Sequence, residues 1–323
     1  MEELKKFNIC VAQHLSIPQK KVIEKFRRIK CEGYKLNIDY YFDKPSSPEE
    51  LIDRGKKTNA NALVVVDSPI NKKVMESLEN LEMIAVAFTG YDHIDIEAAQ
   101  ERNVAVANAP RYAIHSVAEL VFGMAINLFR KIRLGDKSVR RRTSLKRKNL
   151  KGKELNERTL GILGTGEIGS KVAKIGKALG MDVIAHSRTE KEEMKKIVEY
   201  VSLEDLFKNS DVLSVHVPLT DSTEGMIGYD EISSMKKGSI FINTARADVV
   251  DQQAFIKSAR EKEIYFGIDV PHQNLPEDVV DSERVLYTPH VGYYTMEAME
   301  RRVNTSADNI EAYVNGKELN RIV

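Results

Sequence analysis

Leu160-Gly161-Ile162-Leu163-Gly164-Thr165-Gly166-Glu167-Ile168-Gly169 is the stretch on which the reading of the fold turns. A short apolar run ends there in three glycines spaced as in a dinucleotide-binding turn. Each glycine answers a separate need: Gly164 allows the tight turn after a strand, Gly166 lets the backbone approach a pyrophosphate, and Gly169 lets the next helix pack on the sheet. The phosphates would sit on the positive end of a helix starting near Ile168. By itself the spacing is a weak signal, because it also arises by chance. Its surroundings strengthen it. Thr159 to Leu163 reads as a buried strand, Ser170 to Leu179 as a helix and Asp182 to His186 as a second strand, a βαβ unit of about 30 residues.

Working outward, the same alternation continues on both sides. Upstream, strand-like runs occur at Phe7 to Ala12, Leu36 to Tyr41, Leu63 to Val66, Met83 to Phe88 and Val104 to Ala107. Ser47-Pro48-Glu49-Glu50 is a helix start, with Ser47 as cap, Pro48 in the first turn and Glu50 reaching back as a capping box. Downstream, strands read at Val212 to Val217, Ser239 to Asn243, Tyr265 to Val270 and Val285 to Tyr287, and a last helix at Met296 to Asn315. Alternating strands and helices point to parallel sheets covered on both faces. The longest helical pattern, 113–133, carries Val117, Leu120, Val121, Met124, Ala125 and Leu128 at helical spacing and is placed to join two domains.

The chain has 323 residues, which favours two cores over one. Its formal net charge of +1 argues against bulk attraction to nucleic acid or membrane. The one dense basic run comprises Arg140, Arg141, Arg142, Lys146, Arg147, Lys148, Lys151 and Lys153, and it lacks base-stacking aromatics. An exposed loop with a solvated face is the simpler reading, an anion or nucleic-acid contact the alternative. The start, Met1 to Phe7, lacks the apolar core of a signal peptide, and no stretch approaches the roughly 18 apolar residues of a membrane span. A cytoplasmic protein is expected. Cys10 and Cys31 are the only cysteines, without a CxxC pair or a histidine cluster, so no disulfide framework and no metal site are expected; Cys10 reads as a buried strand thiol.

Several motifs in order carry a family resemblance: Gly90-Tyr91-Asp92-His93-Ile94-Asp95, Ser116-Val117-Ala118-Glu119, the Gly164 turn, His216-Val217-Pro218-Leu219-Thr220, Asn243-Thr244-Ala245-Arg246 and Thr288-Pro289-His290. Together they resemble the D-2-hydroxyacid dehydrogenases over nearly the whole chain. The resemblance implies an α/β architecture of two doubly wound parallel-sheet domains. In it a Rossmann coenzyme domain, residues 111–295, is inserted in a flavodoxin-like substrate domain formed by residues 1–110 and 296–323. It further implies hydride transfer between a nicotinamide cofactor and a small 2-keto or D-2-hydroxy acid such as glyoxylate or hydroxypyruvate, and a homodimer formed through the coenzyme domain.

Reducing a 2-keto acid requires a cation for the carboxylate and carbonyl, and an acid for the developing alkoxide. Arg246 and His290 match the family's arginine and histidine, and the N–H groups of Thr89 and Gly90 match the loop that grips the substrate carboxylate. The resemblance places the cofactor against Gly164, Gly166, Glu167, Ile168, Gly169, His216, Pro218, Thr223, Thr244, Asp269 and His290. One position departs from the pattern. Five residues after Asp269, where most members carry a glutamate that orients the histidine, stands Asn274. An amide can fix the ring by a hydrogen bond but cannot stabilise the imidazolium by charge, and Glu277 or Asp278 is the nearby substitute.

Cofactor choice is argued at the end of the second coenzyme strand, where NAD-specific members place a carboxylate on the ribose hydroxyl. This chain has Ser187, Arg188 and Thr189 there. A guanidinium between two hydroxyls suits a 2′-phosphate, so NADPH is expected to be preferred, with NAD as the alternative. Two other functional classes stay open: a redox-sensing dinucleotide-binding protein of the corepressor type, and a formate-dehydrogenase-like variant, which also carries an amide at this position.

Overall fold

The computed structural model describes residues 4–142 and 147–323. The chain divides into two compact units, Met1–Tyr112 with Thr295–Val323, and Ala113–Tyr294. In the first, strands β1 (Lys5–Val11), β2 (Tyr34–Tyr40), β3 (Ala62–Val65), β4 (Met83–Val86) and β5 (Ala105–Asn108) form one sheet in the order β2-β1-β3-β4-β5. Every pairing between these strands is parallel. β3, β4 and β5 are buried along their whole length, as strands covered on both faces must be, and so they read as unbroken apolar runs rather than alternating ones. Cys10 lies within β1, fully buried, and that burial pushes its thiol up to about 11, so it is an inert core group. The helix Met296–Val314 belongs to this unit, where Asn309 Nδ2 donates to the Asn108 carbonyl at 2.8 Å.

Ser47 caps the helix Pro48–Thr58 as expected, accepting from the Glu50 N–H at 3.2 Å. The return reach lands one residue earlier than a capping box requires. Glu50 accepts from both the N–H and the hydroxyl of Ser46, each at 2.7 Å.

In the second unit, β6 (Thr159–Leu163), β7 (Asp182–His186), β8 (Glu199–Tyr200), β9 (Val212–Val215), β10 (Ile240–Asn243), β11 (Tyr265–Ile268) and β12 (Val285–Tyr287) form a sheet in the order β12-β11-β10-β9-β6-β7-β8. All pairings are again parallel. The strand order reverses at β6 and β9, the point where an open α/β sheet leaves a crevice beyond its strand ends. Two apolar layers cover the sheet. Val121, Ile162, Val172 and Ile242 belong to one, Leu163, Phe207, Phe255 and Phe266 to the other.

The helical pattern at 113–133 is broken. One helix, Ile114–Arg130, ends at Lys131, which adopts the left-handed conformation (φ 53°) and donates its N–H to Asn127 and Leu128, and a second helix, Ile132–Arg140, starts there. The basic run is therefore not simply a loop. Arg140 closes the second helix, paired with Asp136. Lys153 donates to the Gly238 carbonyl at 2.8 Å and lies over the Phe129 ring, while Arg141, Arg142, Lys148 and Lys151 are exposed. Lys146 lies outside the described residues.

Candidate active site

The three glycines of the turn do three different things. Gly164 is left-handed (φ 95°), gives its N–H to the His186 carbonyl at 2.8 Å, and a Cβ on it would come within 2.9 Å of the His216 carbonyl oxygen. A Cβ on Gly169 would stand 2.0 Å from the Gly164 carbonyl oxygen, so the helix Glu167–Ala178 can lie this close to β6 only without one. A Cβ on Gly166 would meet nothing within 4 Å. The space in front of Gly166 is open, at the end of a helix that carries no side-chain cap. An open approach to uncapped helix N–H groups fits a pyrophosphate.

At the end of β7, His186 hydrogen-bonds through Nδ1 to the Val201 carbonyl at 3.0 Å. Ser187 is half-buried, Arg188 and Thr189 are exposed, and Arg188 has no ion-pair partner among the described residues. Across the turn, His216 Nε2 meets Ser214 Oγ at 2.8 Å. The residue as a whole is only partly buried, yet burial of its ring pushes the imidazole down to about 3, leaving it neutral. Pro218 and Thr223 are joined by a bond from Thr223 Oγ1 to the Pro218 carbonyl at 2.6 Å, which closes the loop after β9. Thr244 presents a buried hydroxyl with no hydrogen-bond partner among the described residues. A buried orphan of this kind fits a polar group of a bound cofactor.

Arg246, His290 and Asp269 are brought together at the ends of β10, β11 and β12. Asn243 ties the first of these down, donating from Nδ2 to the Arg246 carbonyl at 2.8 Å and accepting from the Ala245 N–H at 2.9 Å. Asp269, 2% exposed, accepts from Thr288 Oγ1 at 2.5 Å, from the Val291 N–H at 2.9 Å and from the Gly292 N–H at 2.9 Å. Its carboxylate is thus committed to the loop that carries His290. Three donors occupy three of the roughly four acceptor positions of an ionised carboxylate, so Asp269 anchors this loop and keeps one position open. His290 itself is left-handed (φ 54°), and its ring stands edge-on to Tyr293 at 5.6 Å. Burial pulls its pKa below the ordinary histidine value; the Asp269 charge opposes this and the Arg246 cation adds to it.

Asn274 is not brought to the histidine. It is exposed, left-handed (φ 55°), and makes no side-chain hydrogen bond among the described residues, so the expected amide bond to the ring is absent there. Asp278 does not substitute, being paired bidentately with Arg260 at 2.8 and 2.9 Å. Glu277 lies exposed in the first turn of Glu277–Val280. In the first unit, Thr89 and Gly90 follow the end of β4, and their N–H groups donate to no acceptor among the described residues. Asn108 Nδ2 donates to the Thr89 carbonyl at 2.7 Å and Thr89 Oγ1 to the Ala109 carbonyl at 3.1 Å, which fixes that backbone.

No group of three or more potential metal ligands occurs among the described residues, and none of their helices is long and apolar enough to cross a membrane. Residues 122–292 match the family model described as "D-isomer specific 2-hydroxyacid dehydrogenase, NAD binding domain". The chain is 35% identical to a glyoxylate reductase of Aeropyrum pernix over 309 residues, covering 90% of this chain and 92% of that one. It is 38% identical over 238 residues to a hydroxypyruvate reductase of Thermotoga maritima, covering 72% of this chain and 77% of that one. Among solved structures, D-lactate dehydrogenase from Aquifex aeolicus, complexed with NAD and lactic acid, superposes with a TM-score of 0.77 at 30% identity, covering 96% of each chain.

Proposed function

We propose, since the chain belongs to the D-isomer-specific 2-hydroxyacid dehydrogenases, that it reduces small 2-keto acids such as glyoxylate or hydroxypyruvate to the D-2-hydroxy acids, with NADPH as the preferred reductant. The observation that carries this reading is the grouping of Arg246 with His290, the latter on a loop that the buried Asp269 holds. A reduced nicotinamide bound at the glycine turn would supply the hydride. Arg246 holds the substrate carboxylate and polarises the carbonyl, and a protonated His290 ring nitrogen gives its proton to the alkoxide oxygen as charge develops there. Gly164 makes the turn, Gly166 and the first helix N–H groups, those of Glu167, Ile168 and Gly169, would receive the pyrophosphate, and His216, Pro218, Thr223 and Thr244 would flank the rest of the cofactor. The test is a panel of 2-keto acids assayed by NADPH oxidation, with glyoxylate and hydroxypyruvate expected among the best substrates.

The preference for NADPH rests on Ser187, Arg188 and Thr189. Arg188 is exposed and has no ion-pair partner among the described residues, so it meets a 2′-phosphate without first breaking one of those pairs. NADPH is expected to bind more tightly than NADH, and Arg188→Ala to cost about 1 to 3 kcal/mol of NADPH binding, the range for a charge-assisted hydrogen bond. Calorimetric titration of both cofactors checks this; equal or tighter NADH binding by the unaltered protein refutes it.

We further propose a homodimer through the coenzyme unit, with the helix Ile114–Arg130 contributing, as closed two-fold pairing is the commonest arrangement. Sedimentation equilibrium at micromolar concentration should give twice the chain mass, and a monomer there contradicts the proposal. Asn274 alone favours the second reading, a redox-sensing dinucleotide-binding protein with weakened catalysis. Tight cofactor binding together with no turnover on the whole panel would select it.

A further inference from the structure

The segment 187–190 is pinned at both ends to the same glycine turn. At its start, the His186 carbonyl accepts from the Gly164 N–H at 2.8 Å. At its end, the Tyr200 hydroxyl accepts from the Lys191 N–H at 3.1 Å and donates to Thr165 Oγ1 at 3.0 Å. Thr165 is 1% exposed, and its carbonyl accepts from Ser170 Oγ at 2.9 Å, which ties the turn to the first part of the following helix. Tyr200 is held in turn by the edge strand β8, paired with Ala185 of β7, and by packing of its ring against the buried layer that contains Ile162 and Val172.

We propose that Tyr200 is a positioning residue for cofactor discrimination: its hydroxyl bridges Thr165 of the pyrophosphate turn to Lys191 and so sets the place of Arg188 relative to that turn. This rests on the reading that Ser187, Arg188 and Thr189 take a 2′-phosphate. A ligand phosphorylated at both places needs the two sites at a fixed separation. Hydrogen bonds at both ends of a four-residue segment supply that constraint, and a phenolic hydroxyl, able to donate and accept together, closes it with a single atom. NADH lacks the 2′-phosphate and draws on the turn alone, so the bridge matters less for it.

The experiment compares NADPH and NADH dissociation constants for the full chain and for Tyr200→Phe, Thr165→Val and the double variant, with Arg188→Ala as reference. Tyr200→Phe keeps the ring in its apolar contact and removes only the bridge. It is expected to weaken NADPH about five- to tenfold, the effect of one lost hydrogen bond, and NADH less than twofold. Thr165→Val should reproduce this, the double variant should add little to either single one, and Thr165→Ser should restore the preference. A general loosening of the fold would weaken both cofactors alike and leave their ratio unchanged, which overturns the proposal. If Arg188→Ala abolishes the preference while Tyr200→Phe leaves it intact, the bridge is overturned and the phosphate reading stands. If the unaltered protein shows no preference for NADPH, the phosphate reading itself fails.

Discussion

Replacing His290 by Asn is expected to lower the rate of 2-keto acid reduction by about 10²- to 10⁴-fold, the usual contribution of a positioned general acid. Asparagine is the informative choice because His290 sits at φ 54°, where most side chains are strained and asparagine is tolerated. The backbone N–H of residue 290 bonds to the Asp269 and Thr288 carbonyls, at 2.6 and 3.0 Å, and those bonds survive the change. The loss should therefore fall on kcat, with the NADPH dissociation constant nearly unchanged. Steady-state rates and a cofactor titration on the same preparation separate the two, and an unchanged kcat would remove His290 from the chemistry.

The second large effect is expected at Arg246. Arg246→Gln removes the only guanidinium assigned to the substrate and should lower kcat/KM by about 10²- to 10³-fold, as losing a preorganised donor to developing charge does. The same change should leave a signature at His290. Because the Arg246 cation depresses the His290 pKa, its removal should move the fall of the reduction rate to higher pH. Arg246→Lys keeps the charge but not the fork, so it should lower kcat/KM while leaving the pH profile near that of the unaltered protein. A glutamine variant with an unshifted profile would show that the two groups do not act on one another.

Where the sequence was legible, local chemistry was the reason. β6, β7 and β12 fall at the bounds read from their apolar runs, since glycine turns or polar residues flank each one. Gly164 and Gly169 were readable for the same reason, as a left-handed turn and a 2.0 Å approach admit only glycine. The break at Lys131 left no such trace, because helical periodicity runs through it and a lysine took the left-handed place a glycine would have announced. β8 spans two residues, too few to show a period. The commitment of Asp269 to Thr288, Val291 and Gly292, and the bridge from Tyr200 to Thr165, join residues far apart in sequence, so only the folded chain reveals them. Asn274 was seen as a departure, but its exposure and lack of contact with the ring depend on a left-handed backbone that the sequence did not signal.

Protonated His290 as the acid is the claim on which the mechanism stands, and the pH dependence of reduction tests it most directly. Burial and Arg246 together outweigh Asp269, so the ring's pKa lies below the ordinary histidine value, and reduction needs the ring's proton. In the unaltered protein, kcat/KM for hydroxypyruvate with NADPH should fall as pH rises, with an apparent pKa below about 6.5, and oxidation of the D-2-hydroxy acid should rise over the same interval. A reduction rate that is flat from about pH 6 to 9, a range in which an acid held below the ordinary histidine value is increasingly deprotonated and the rate should fall throughout, would contradict the assignment of His290 as the acid.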